Sequence, residues 1–444
     1  MDRQEFMKTK PIFPLLISMG VPMMISMLIQ SLYNIVDSIF VSRLGTEALT
    51  AVSLVYPLQN IIMALSVGVG VGIGSVISVS LGAKDTKKAS QAASIGLFLT
   101  FIHVILFAAA GAVVTKPFLS MFTDDAKVLE WACDYGYIVM CVSFGSLIQI
   151  YFEKVYQAVG AMMTTMIVLG ISAVTNIILD PIFIFGYFGI PAMGVRGAAI
   201  ATVTGQIVGM FIYIFIYMKK GLPSKIRRAY MRPQKDIVMQ IYSVGIPSTL
   251  MLALPSVLVS ILNGMLVKFS EVYVAVLGIF LKLQSFIYMP ANGVIQGMRP
   301  IIGYNYGAGE KERMYKTIRL SLLMTVVIMA VGTAAAQFFP EQLLRLFDAD
   351  PSLMDKGVEA LRIISIGFII SAVGVIYCGV FEALGMGMRS LIVSLIRQFV
   401  VTIILGGILA WGFQMGAAGI WIAFAVAEAL GAAAAIILFK TAKL

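Results

Sequence analysis

Long apolar stretches, separated by short clusters of charged and turn-forming residues, set the pattern of this chain. Between Lys10 and Asp37 lie 26 uncharged residues, and between Glu47 and Lys84 lie 36. A bilayer core is crossed by about 20 helical residues, so each run holds one helix or a helix with its turn. Continued along the chain, the pattern predicts twelve spans, near 14–40, 52–80, 90–115, 132–155, 165–186, 197–218, 243–267, 273–300, 317–339, 357–380, 390–411 and 417–438. The polar start MDRQEFMKTK lacks a small-residue cleavage site, and the apolar run after it is too long for an h-region. No cleavable signal is expected.

Composition points the same way. Hydrophobic residues make up 60% of the 444 and charged residues 12%, against roughly 45–50% and about 25% in a soluble domain. With a mean hydropathy of +0.96, so few charges could not cover the surface of two or three soluble domains. A single histidine, His103, and three scattered cysteines, Cys133, Cys141 and Cys378, exclude a zinc site and a disulfide framework. His103 is expected to be a packed core residue. The net charge of +10 would suggest nucleic acid in a soluble protein, but here it reports topology. With the N-terminus inside, the predicted inner segments, Lys154 included, hold 21 Lys and Arg and the outer ones 7. That is the positive-inside asymmetry. It places both termini in the cytoplasm and the chain in the cytoplasmic (inner) cell membrane, with no nucleic-acid partner.

The second half repeats the first. Gly20–Val21–Pro22 matches Gly245–Ile246–Pro247 at an offset of 225 residues. The same offset relates Gly82–Ala83 to Gly307–Ala308, Phe122 to Phe347, Asp125 to Asp350, and Ala158–Val159–Gly160 to Ala383–Leu384–Gly385. Met193–Gly194 and Gly197 match Met415–Gly416 and Gly419 at 222. Six spans per repeat is an even number, so the repeats run parallel, related by a pseudo-twofold along the membrane normal. The expected fold is an all-α polytopic membrane protein, with two parallel six-helix repeats around a central cleft. Its expected parts are an N-terminal bundle over 1–218, a basic cytoplasmic linker over 219–242 and a C-terminal bundle over 243–444. Such a cleft suits alternating access and favours a transporter over an intramembrane enzyme, for which no His–acid metal motif or Ser–Lys dyad stands out. A channel is disfavoured, because no ring of like charges lines the spans.

An acid inside a span is costly and therefore a functional candidate. Asp37 in the first span, Asp180 in the fifth and Thr202 in the sixth all fall in the outer half of the first bundle. Asn176 and Asp180 share a helix face at i, i+4, as do Tyr33 and Asp37. Two carboxylates, a carboxamide and a hydroxyl form hard oxygen ligands for Na+ at Asp37, Asn176, Asp180 and Thr202. Alternatively, two acids in one low-dielectric site share and carry a proton. The plainer readings are Asp37 among headgroups, Asp180 capping the turn at Pro181 and Asn176 in an ordinary interhelical hydrogen bond. Pro22 interrupts the first helix and is a candidate hinge, or else an inherited kink shared with Pro247. In the second half, Lys282, Arg397 and Glu428 lie within spans. Lys282 and Glu428 fall at similar depth and could form a buried ion bridge or contact substrate. Gln206 and Glu428 occupy matching repeat positions, which predicts inward-facing polar sites. The 28 methionines suit an adaptable apolar cavity, or simply fill membrane helices.

These residues together resemble the multidrug and toxic compound extrusion (MATE) family over essentially the whole chain. The resemblance rests on Gly20–Val21–Pro22, on Asp37 followed by Val41–Ser42–Arg43–Leu44–Gly45, and on Tyr156–Gln157–Ala158–Val159–Gly160. It extends through Asn176–Ile177–Ile178–Leu179–Asp180–Pro181 to Gly197–Ala198–Ala199–Ile200–Ala201–Thr202 and Gln206. Acids in the first and fifth spans resemble the DinF-like branch, whose ion site lies in the N-terminal half. The seventh predicted span has no acid, the tenth has only Glu382 at its cytoplasmic end, and the repeat counterpart of Asp37 is Leu262. One departure is the stretch from Tyr187 to Met193, a few residues longer than usual. The resemblance implies a monomer in the bilayer that exports small amphipathic or cationic compounds in exchange for H+ or Na+, with no other cofactor. The alternative is a flippase for lipid-linked saccharides, which would line its cavity with many bases. Here only Lys282, Arg299, Arg362 and Arg397 are candidates.

Overall fold

The computed structural model describes residues 5–347 and 351–442. Arg3, Lys443 and the Asp350 side of the Asp125–Asp350 match lie outside the described residues. In chain order the spans are α1 (Ile12–Ser42), α2 (Thr46–Gly82), α3 (Thr86–Leu119), α4, α5 (Met162–Phe185) and α6 (Val195–Lys220). The second set is α7 (Lys235–Leu266), α8 (Glu271–Gly307), α9 (Lys311–Phe338), α10 (Pro351–Ala383), α11 (Gly387–Gly412) and α12 (Ala417–Lys440). α4 is a pair, Ala126–Cys141 and Phe144–Ala158, bent by 46°. With that pair taken as one span, the predicted twelve are present. No strand occurs among the described residues.

Most helices overrun their predicted ends, because helical hydrogen bonding continues past the apolar core, and a few starts are fixed by a side-chain cap. Asp85 accepts from Lys88 N at 2.8 Å to start α3, and Asp125 accepts from Lys127 N and Val128 N to start α4. α7 begins at Lys235, well before the predicted 243, and takes Asp236 into its first turn. The expectation of an acid-free seventh helix therefore fails at its end, though not in its interior. α10 takes in Asp355 at its start and Glu359, which already lay within the predicted 357–380, so Glu382 is not its only acid. α1 runs unbroken through Pro22, which is buried. α11 widens into π-turns at Ile396–Val400 and Ile408–Gly412.

The halves meet where α2 packs on α7 and α1 on α8. Glycines allow the closest approaches. Gly72 abuts Ile241 and Gly245, while Gly297 abuts Met19 and Gly20. Gly82 abuts Tyr304, while Gly307 abuts Val79. Shifting either member of a pair by 225 residues produces the other pair, so a twofold rotation maps this interface onto itself. All these contacts lie toward the ends of the bundles that carry the chain termini. On the same side, Asn305 and Arg313 donate to Met7 O, and Lys8 pairs with Glu310 at 2.7 Å. The segment after α6 docks on α3: Lys225 N and Arg227 N donate to the Ser90 and Ser94 hydroxyls. His103 is buried, as expected of a core residue, and its ring nitrogen bonds the Tyr242 hydroxyl across the halves at 2.9 Å. Farther from the termini, the two halves enclose a cavity of about 770 Å³.

Candidate ion and substrate site

The first bundle gathers the predicted acids at the end remote from the termini. α1 and α5 run in the same direction, so Asp37 and Asp180, each near the last turns of its helix, arrive at one level. α6 returns from that end and brings Thr202 within its second turn. Asn176 Nδ2 donates to Asp180 Oδ1 and to Thr202 Oγ1, both at 3.4 Å. The Asp37 and Asp180 carboxyl groups lie within hydrogen-bonding reach of each other. Asp180 is 0% exposed and Asn176 2%.

Asp37 Oδ1, Asp180 Oδ2 and Asn176 Oδ1 are all buried, and none has a donor among the described residues. A buried acceptor left without a donor costs about 1–3 kcal/mol. Three such oxygens beside two neighbouring carboxyl groups make a site that suits positive charge, whether a proton shared by the acids or a small hard cation. The donor set fits Na+, which takes oxygen ligands from carboxylate, carboxamide and hydroxyl groups. No group of three His, Cys, Asp or Glu suited to a transition metal occurs among the described residues.

Two further side chains complete the cluster. Tyr33, one turn before Asp37, and Tyr135 of α4 hold their hydroxyls within reach of Thr202. Gln59 of α2 donates to the Tyr135 hydroxyl at 3.5 Å. Neither Tyr135 nor Gln59 was singled out from the sequence, because an uncharged polar residue in a span carries no signal of its partner. Tyr33, Asn176 and Thr202 line the cavity wall, whereas Asp37 and Asp180 stand behind them. The acid pair is thus separated from the cavity by Asn176, which hydrogen-bonds Asp180, and by Thr202 and Tyr33 beside it.

The cavity draws on both halves. Met23, Met27, Met63, Met251 and Met289 line it, and Gln206 stands on its wall as predicted. Its ionised groups are paired. Lys154 Nζ donates to Glu153 at 2.8 Å and to Gln157 at 3.1 Å. Lys154, counted above among the inner-loop bases, is instead buried inside α4, because Gly70 of α2 leaves space for its stem. Arg299 pairs with Glu382, which also accepts from the Ser248 hydroxyl at 2.7 Å. In the C-terminal half, Glu428 pairs with Arg397 at 2.7 Å and not with Lys282. Lys282 is exposed on the outer surface of α8, its ammonium 5.8 Å from the Phe347 ring centroid. Arg362 is exposed as well. Depth alone could not distinguish these cases, because residues at one level can point to opposite sides of a bundle.

Twelve spans in two pseudo-equivalent halves around a shared cavity define a secondary-transporter fold. The model of the MatE family matches residues 22–182 and again 247–408, one copy per repeat. The chain belongs to this family of transporters. It is 26% identical to the multidrug export protein MepA of Staphylococcus saprophyticus, over 98% of this chain and 95% of that protein. MepA of Staphylococcus aureus is 27% identical over the same shares. A MATE transporter crystallised in the bent conformation superposes with a TM-score of 0.91 at 25% identity, covering 99% of this chain and 97% of that one. A MOP superfamily transporter from Pyrococcus furiosus gives 0.91 at 24% identity with the same coverage, a likeness of fold.

Proposed function

We propose that the protein is a multidrug exporter that expels small amphipathic or cationic compounds in exchange for H+ or Na+. The coupling site is the N-terminal cluster of Asp37, Asp180, Asn176 and Thr202, with Tyr33 as support. The observation that carries this reading is the carboxyl pair with its buried, donorless oxygens, one layer behind the cavity wall. In an alternating-access cycle, a cation entering from outside neutralises the pair and lets α1 and α5 close together. Its release inside restores the repulsion. Pro22 lies on α1 between this site and the glycine-packed end of the interface, where a change of helix direction would be transmitted. The packed ends are cytoplasmic, together with both termini and the 219–235 segment, so the cavity is sealed from inside. The molecule works as a monomer in the cytoplasmic membrane.

Paired charges argue against a saccharide-lipid flippase. Lys154, Arg299 and Arg397 each face an acid, which leaves no surplus of bases to hold a pyrophosphate. The test is substrate efflux from proteoliposomes with Na+ and proton gradients imposed separately. Export driven by at least one gradient supports the reading, and export indifferent to both contradicts it.

A further inference from the structure

The C-terminal half holds a polar constellation that the coupling site does not use. Arg397 lies in the π-turn at Ile396–Val400 of α11, and the Thr402 hydroxyl bonds Arg397 O at 3.2 Å across that widened turn. π-turns within α-helices often re-aim a side chain at a functional site. Two glycines make room for this one. A Cβ at Gly431 of α12 would stand 2.8 Å from Arg397 Cβ, and one at Gly374 of α10 would stand 3.2 Å from its Cδ. The side chain is nevertheless only 9% exposed, and it lines the cavity.

The guanidinium is half used. Its Nε lies 2.7 Å from Glu428 Oε2, yet the two groups are not aligned as a hydrogen bond, and both atoms are otherwise unpartnered. No protein acceptor among the described residues takes a hydrogen bond from the two terminal nitrogens. Tyr288 is packed beside both charges, but its hydroxyl donates to Ser371 Oγ at 2.6 Å and takes no hydrogen bond from Arg397. A guanidinium carries five donors in a planar fork that matches a carboxylate edge-on. Here the edge along Nε is covered by Glu428, the terminal nitrogens take no protein partner among the described residues, and the side chain lines the cavity.

We propose that Arg397 is a carboxylate-binding subsite, and that the preferred substrates are amphipathic zwitterions rather than simple cations. This rests on the export reading above and specifies its substrate class. The charge balance requires the second positive group. An arginine shared by Glu428 and a ligand carboxylate leaves one net negative charge in a low-dielectric site, so the ligand must bring its own cation. A purely anionic ligand lacks that compensation, and a purely cationic one leaves the open edge of the fork without an acceptor.

The test uses a matched pair of fluorescent xanthene dyes, one with a free benzoate and the other its methyl ester. Equilibrium binding of each is measured on the full-length protein in phosphatidylcholine nanodiscs, with and without phosphatidylglycerol. The wild type should bind the carboxylate dye about tenfold more tightly than the ester, the scale of one charge-assisted hydrogen-bonded pair. Arg397→Gln should bring that ratio to near one. Arg397→Lys, which keeps the charge and loses the fork, should fall between. Because Arg397→Gln strands a buried Glu428, the double variant Arg397→Gln/Glu428→Gln repeats the measurement without an unpaired charge. A ratio unchanged in both glutamine variants overturns the subsite. So does a carboxylate preference that disappears when anionic lipid is present, which would assign the arginine to a lipid phosphate. Wild-type protein that binds neither dye counts against the export reading itself, and the subsite falls with it.

Discussion

Gln157 of α4 and Glu382 of α10 stand at equivalent positions of the two repeats, and each reaches the equivalent residue on the first helix of its own half. Gln157 Nε2 donates to Met23 Sδ at 3.4 Å, and the Ser248 hydroxyl donates to Glu382 Oε1 at 2.7 Å. The contact has been kept while its chemistry changed. In the second half it is charged, and Arg299 completes it. Gln157 also bridges to Gln296 of the other half at 3.4 Å, so the floor of the cavity is a polar layer shared by both bundles.

Removing the acid from that floor should loosen it. Glu382→Gln leaves Arg299 with a neutral partner, and breaking such a partly buried pair costs about 1–3 kcal/mol. Thermal unfolding in detergent should shift downward by several degrees. Glu382→Gln with Arg299→Gln should recover most of the loss, since no unpaired charge remains. A double variant no more stable than the single one would show that the pair is not the cause.

The interface itself supplies a symmetry test. Gly82 abuts Tyr304 and Gly307 abuts Val79, equivalent contacts in which an added Cβ meets backbone. Gly82→Ala and Gly307→Ala should each destabilise the packed state by about 1–3 kcal/mol through overpacking, and by similar amounts. Differential scanning fluorimetry would check this. A large loss for one with none for the other contradicts a twofold interface.

Topology can be read by labelling. A cysteine at Ala229, an exposed position in the segment after α6, should resist membrane-impermeant maleimide in intact cells and react after permeabilisation. Ser224 in the same segment is a poor probe because it is buried. The background thiols, Cys133, Cys141 and Cys378, are first replaced by serine. Labelling of intact cells at residue 229 would invert the orientation.

Within the proposed coupling site, the Tyr135 hydroxyl separates a structural from a supporting role. Tyr135→Phe keeps the buried ring and removes the group within reach of Thr202. It should weaken the apparent affinity for the coupling ion several-fold, on the order of 1 kcal/mol, while leaving the maximal export rate largely intact. An unaltered ion dependence of transport would remove Tyr135 from the site.

Spans, repeats and the acid pair were legible in the sequence because each has a one-dimensional signature. Apolar runs have a length, duplicated landmarks such as Pro22 and Pro247 have an offset, and an acid such as Asp37 is conspicuous in an apolar run. Partners across helices have no such signature. By depth Lys282 could pair with Glu428 or contact substrate, but Arg397, in the π-turn of α11, pairs with Glu428, while Lys282 faces outward. Lys154 sat at the edge of a predicted loop, and only the absence of a side chain at Gly70 allows it to be buried. Gln59 and Tyr135 joined the site through packing of α2 and α4, which no spacing within either helix records.

The central claim is that the Asp37 carboxylate couples ion entry to export. Asp37→Asn removes the charge and keeps the size, so the protein should fold and reach the membrane as the wild type does. In proteoliposomes it should lose gradient-driven export by about tenfold or more, the range of a coupling free energy of 1–3 kcal/mol, whether Na+ or protons are supplied. Its binding of substrate at equilibrium should no longer respond to pH or to Na+. Wild-type export rates from Asp37→Asn proteoliposomes, under either gradient, would contradict the account.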